Sequence, residues 1–160
     1  CIEPLVAAIR QVKQQNTGPV LLMGPRGKPF KQHMAQELSK HSGIILICPR
    51  YEGVDERVRA FVDMEISIGD HILSAGDPAA WCVADSVIRL LPGVLGNPQS
   101  LCEESFATGR LEYPHYSRPA VFEGMPVPDV LRSGDHQAIQ KWRSQQSLHL
   151  TRAHRPDLLV

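Results

Sequence analysis

The sequence predicts an α/β domain with parallel strands, and two observations carry that expectation. VLLM (20–23) and IILIC (44–48) are apolar runs too short to be helices and long enough to be buried strands. The segments before and between them place apolar residues at helical spacing, and strands joined through a helix run parallel. With 160 residues, 42% of them hydrophobic, the chain can bury one real core and a small appendage.

Each element has its own signal. Ile2, Leu5, Val6, Ile9 and Val12 predict an amphipathic helix over 3–15, which Gly18-Pro19 ends before the VLLM strand. GPRGKP (24–29) reads as a loop, and Phe30, Met34 and Leu38 mark a second helix leading to Gly43 and IILIC. PRYEG (49–53) is the next loop, followed by a short helix through Val54, Val58, Phe61 and Val62. EISI (65–68) is a third strand, and residues 78–91 predict a buried helix ended by Pro92-Gly93. Six of the 13 prolines fall in 92–128 with little periodicity, as in an extended linker or a loop ordered by a partner. From Ser133, a good N-cap, a polar helix runs to about His154 with Ile139 and Trp142 on one face.

Charge and cysteine usage narrow the function. Formal net charge is zero, so no global basic field points to nucleic acid. Its distribution is uneven: residues 1–131 hold 12 Lys+Arg against 15 Asp+Glu, and residues 132–160 hold 5 against 2. That basic tail, with His136, His149 and His154, fits a polyanionic partner or a solvated helix surface equally well. Cys1, Cys48, Cys82 and Cys102 are scattered without zinc spacing, and no metal site is expected. Cys48 and Cys82 lie in apolar runs and read as core residues in a reducing, cytoplasmic setting. No stretch approaches the ~20 apolar residues of a membrane span, and no signal peptide is visible. CIEPLVAAIR begins without methionine and already in helical pattern, as if a segment precedes it.

The familiar nucleotide motifs fail. Gly24 and Gly27 in GPRGKPF stand too close for a phosphate loop, and Pro29 follows Lys28. No GxGxxG follows a strand, and neither HExxH nor GxSxG occurs. Three loops remain: GPRG (24–27), PRYEG (49–53) and IGDHILSAG (68–76), each just after a predicted strand. In a parallel sheet they gather at the carboxyl edge, where glycines let main-chain groups approach a ligand. Any one alone reads first as a tight turn; three together favour a pocket. Glu103-Glu104 and Arg89 read either as surface charges or as a base and an anion stabiliser.

Longer motifs are more specific. RYEGVDERV (50–58), EISIGD (65–70), RLLPGVLGN (89–97), ESF (104–106), LEYPHYSRP (111–119), VFEGMPVPDVL (121–131), SGDH (133–136) and HRPDLL (154–159) resemble the bacterial tRNA (guanine-N1)-methyltransferases of the TrmD family. The resemblance runs colinearly from about residue 4 to the end. It implies a SPOUT-type α/β domain closed by a trefoil knot over residues 1–96, lacking its N-terminal part. An interdomain linker at 97–131 and a small helical tRNA-binding domain at 132–160 follow. It also implies a homodimer with the active site at the subunit interface, S-adenosylmethionine as cofactor, and methylation of N1 of the guanine 3′-adjacent to the anticodon, position 37.

Site residues follow from the same resemblance. Glu104 takes the place of the family's catalytic aspartate, and Arg89 that of the arginine that stabilises charge on guanine O6. Pro25, Gly27, Tyr51, Glu52, Gly53, Ile68, Gly69, Asp70, Leu73 and Gly76 align with the cofactor site; Ile72 aligns with it too but departs from the family's residue. Pro49 stands where a glycine lines the family pocket, His71 where tyrosine is usual, and Ala75 where a second glycine is usual. Tyr116, Arg118, Ser133, His136, Trp142, Arg143, Arg152 and Arg155 are the tRNA-binding candidates. The alternative reading is a catalytically inactive or truncated tRNA-binding module of the same fold.

Overall fold

A computed structural model describes residues 1–97 and 100–160; Pro98 and Gln99, within the predicted linker, lie outside the described residues. The chain divides into two compact units, Cys1–Gly96 and Asn97–Val160.

In the first unit, β1 (Val20–Pro29) lies between β2 (Ile45–Ile47) and β3 (Met64–Ser67), parallel to both. β1 alternates as a central strand must. Leu21 and Met23 join one buried cluster with α2 (Gln32–Leu38) and α3 (Asp77–Ile88). Val20 and Leu22 join another with Ile9 of α1 (Ile2–Lys13), Ile45, Ile47 and Val58 of a 3₁₀ turn, Glu56–Phe61. The sheet is thus covered on both faces, the α/β arrangement expected. Val20, Leu21, Leu22, Met23 and Ile66 are all at most 2% exposed, and each such burial is worth about 1.5–3 kcal/mol.

Several local readings change. GPRGKP is not simply a loop: Met23 and Lys28 both pair with Ile66, so 24–27 is an excursion, and Lys28-Pro29 rejoin the strand. The helix predicted over 78–91 is buried on one face only. Ala79, Ala80, Val83 and Val87 are covered, whereas Trp81 is 74% and Ile88 50% exposed. Cys82, expected in the core, is exposed because it lies on that outer face.

The second unit contains α4 (Ser100–Glu103), a hairpin of β4 (Val121–Phe122) and β5 (Met125–Pro126), and α5 (His136–His154). Ser133 does not cap α5. Its Oγ donates to the Val130 carbonyl at 2.8 Å, and Gly134 turns left-handed at φ +74°. Asp135 then caps, accepting from the amides of Gln137 and Ala138 at 3.0 Å each. Among the described residues, no helix is long and apolar enough to cross a membrane.

Candidate functional site

The carboxyl ends of the three parallel strands open into a cleft of about 520 Å³ in the first unit. Its walls come from all three predicted loops. Pro25 contributes from the β1 excursion; Pro49, Tyr51, Glu52 and Gly53 follow β2; Ile68, Gly69, His71, Ile72, Leu73, Ala75 and Gly76 follow β3. Gly27 and Asp70 do not line it. An added Cβ on Gly27 would lie 2.4 Å from the Ile66 amide nitrogen, so its service is to let the excursion press on β3. Asp70 is exposed beyond the wall.

Two of the loops are stitched together. The Gly76 amide donates to the Pro49 carbonyl at 2.7 Å, and Arg50 and Ala75 form an antiparallel bridge. This contact uses only the carbonyl of residue 49, so proline satisfies it as any residue would. Tyr51 holds a left-handed φ of +58° and is 99% exposed, an unfavourable conformation for a non-glycine residue at the cleft wall. Beneath the cleft the Cys48 thiol is pushed up, first by burial and then by Asp77.

The wall includes a charge network with no counterpart in the sequence reading. Glu65, its side chain 10% exposed, pairs with Arg59; Arg59 Nε also meets Glu56 at 2.9 Å, and Glu56 meets Arg26 at 2.6 Å. The Glu65 pair and the Glu56 pair hold Arg59 firmly protonated, and Arg26 with Arg59 keeps the Glu56 carboxyl below the usual range. Together they tie the β1 excursion to the 3₁₀ turn and β3. Glu56 and Arg59 are a local pair three residues apart in the 3₁₀ turn, but no local spacing announces the Glu65 and Arg26 pairs, whose partners come from separate elements.

Arg89 follows α3 as its C-cap, half-buried, in the first unit. Glu104, also half-buried, follows α4 in the second unit. Of the tRNA candidates, Tyr116, Arg118, His136 and Arg152 are exposed, and Trp142 is half-buried 6.3 Å from Tyr116. Two are occupied internally. Arg155 grips Asp157 through two bonds of 2.8 and 2.7 Å, and Arg143 lies 3.8 Å from Glu103 and over the Tyr113 ring at 4.6 Å.

A parallel sheet with helices on both faces and a ligand-sized cleft at its carboxyl edge defines an α/β protein of the kind whose clefts accommodate small molecules. Comparison with known proteins is more specific. The family model for tRNA (Guanine-1)-methyltransferase TrmD matches residues 1–160. A tRNA (guanine-N(1)-)-methyltransferase of Clostridium botulinum strain Eklund 17B is 53% identical over 156 residues, spanning 98% of this chain and 66% of the relative. The protein of the same name from Clostridium beijerinckii is 53% identical over 98% of this chain and 65% of its own length. That from Clostridium tetani is 50% identical over 157 residues. The chain belongs to the TrmD family, and it spans just under two thirds of the length of these relatives.

Proposed function

We propose that this protein transfers a methyl group from S-adenosylmethionine to N1 of the guanine 3′-adjacent to the anticodon, position 37 of tRNA. The observation that carries the reading is the cleft: the loops aligned with the family's cofactor site converge on one cavity of about 520 Å³, within the usual range for small-molecule sites. Its wall suits this donor. Glycines and exposed apolar side chains offer main-chain and van der Waals contact, and Arg26 and Arg59, the arginines lining it among the described residues, are engaged with glutamates. A ligand without phosphate needs no free cation there. We assign the chain 1–96 to a SPOUT domain with a trefoil knot, 97–131 to a linker and 132–160 to a helical tRNA-binding part.

When bound, the donor supplies an electrophilic methyl group on a sulfonium. The protein must hold guanine N1 in line with it and remove the N1 proton, which guanine retains at neutral pH. Glu104 accepts that proton, and Arg89 donates to O6 as negative charge builds there. The N1–methyl bond forms as the sulfur–methyl bond breaks, leaving the thioether and a protonated carboxyl. Pro25, Tyr51, Ile68, Leu73 and Gly76 hold the donor, while Tyr116, Arg118, His136 and Arg152 present exposed groups to tRNA. Trp81 and Ile88, both exposed and seven residues apart on α3, offer apolar surface suited to a second copy, and we take the active unit as a homodimer with its site at the subunit interface. A tRNA substrate places the activity in the cytoplasm.

Glu104→Gln tests the assignment. Calorimetry should give donor affinity within twofold of the parent, while transfer to a tRNA transcript falls by roughly 100-fold or more. Retained transfer would reassign the base. Absence of donor binding by the folded parent would favour the non-catalytic tRNA-binding reading.

A further inference from the structure

Helix α5 carries Arg143, Ser147 and Thr151 four residues apart along one ridge, and Arg155, its non-helical C-cap, follows at the same interval. All four face the segment that contains Glu104. Thr151 is fully buried; its Oγ1 accepts from the Leu111 amide at 2.9 Å and donates to the Ser147 carbonyl at 2.7 Å. One turn earlier, Ser147 Oγ donates to the Leu111 carbonyl at 2.7 Å. Both main-chain polar groups of Leu111 are thus held by α5.

From Leu111 the anchoring reaches each neighbour of Glu104. The Glu112 amide donates to Ser105 Oγ at 2.9 Å, and the Phe106 amide donates to the Arg110 carbonyl at 2.7 Å. On the other side, Glu103 accepts from the Tyr113 hydroxyl at 2.8 Å, and Arg143 lies against both. Arg155 covers the Phe106 ring at 5.7 Å. Residues 103, 105 and 106 are therefore fixed through 110–113 to one helix, and Glu104 lies between them.

We propose that this stripe of α5 is a positioning device for the base Glu104, with Thr151 its central residue, and that Arg143 and Arg155 serve it instead of gripping tRNA. The proposal rests on the reading of Glu104 given above. Positioning residues act on the chemical step: displacing a base by ~1 Å costs about 100-fold, whereas substrate binding is unaffected.

The test is Thr151→Val, which keeps the shape and removes the hydroxyl, alongside Thr151→Ser, which keeps the hydroxyl. For Thr151→Val, kcat for methyl transfer should fall 10- to 100-fold, with KM for donor and tRNA within about twofold. Thr151→Ser should restore kcat. Raising the pH until guanine N1 loses its own proton should recover part of the Thr151→Val rate. If Thr151→Val unfolds, Ser147→Ala supplies the same readouts. An unchanged kcat, or a loss confined to KM for tRNA with a reduced salt dependence, overturns the proposal. Amide exchange at Phe106, Leu111 and Glu112 should rise in Thr151→Val whether or not the parent methylates, and unchanged exchange also overturns it. A parent with no transfer at all, but with that rise, refutes the functional reading and leaves the anchoring standing.

Discussion

Gly76→Ala places a methyl group where the two cleft loops meet. Its Cβ would lie 2.7 Å from Pro49 Cδ and 2.9 Å from both Cys48 Cα and the Pro49 nitrogen. Carbon atoms pack best at about 3.5–4.0 Å, so the loops must part by roughly 0.5–1 Å. Neither neighbour can rotate away, since one is a proline ring and the others are backbone. Overpacking of this kind costs about 1–3 kcal/mol, and loss of the Gly76–Pro49 hydrogen bond adds about 1 kcal/mol. If the loops relax locally, some 2–3 kcal/mol falls on ligand binding, which weakens the dissociation constant about 30- to 150-fold. Calorimetric titration with S-adenosylmethionine reads this directly, with thermal melting run in parallel. Gly96→Ala is the control, because no described atom lies within 4 Å of its Cβ. Binding by Gly76→Ala within twofold of the parent, with an unchanged melting temperature, would refute the idea that this close approach shapes the cleft.

The remaining predictions concern charge. Asp55 caps the 3₁₀ turn, and the Arg57 side chain and amide draw its carboxyl from 3.8 to about 2. Because the folded value is the lower one, the stabilisation is complete above 3.8 and disappears as pH falls through about 2. Melting temperatures measured across that window should therefore decline less steeply in Asp55→Asn than in the parent. Arg152 is exposed on the basic helix, so Arg152→Ala should weaken tRNA binding uniformly and reduce the salt slope by about one, read from titrations at several salt concentrations. An unaltered slope would remove Arg152 from the interface.

Much of the first unit was legible because its signals are local. VLLM alternates between two buried clusters, and the three glycine-containing loops follow their strands, so their convergence on one cleft needs only the parallel order. What escaped depends on distant partners. Lys28 and Pro29 look like loop residues until Ile66 and Ser67 pair with them. Trp81 and Cys82 look buried until only one face of α3 is covered by the sheet. Ser133 and Asp135 are equally good caps, and the left-handed Gly134 between them decides for Asp135. Glu65 and Arg59 lie six residues apart on different elements, and Thr151 reads as one more polar residue on a polar helix. Its neighbours at spacing four gain meaning only when Leu111 is docked against them.

The position of the transferred methyl group decides whether the proposed function holds. Incubating the protein with S-adenosylmethionine and a tRNA transcript bearing guanine at position 37, then digesting to nucleosides and identifying the product by mass spectrometry, tests it most directly. The expected product is 1-methylguanosine from that transcript and none when position 37 is adenine. Methylation at another atom or position, or no methylation by a protein that binds both donor and tRNA, would contradict it.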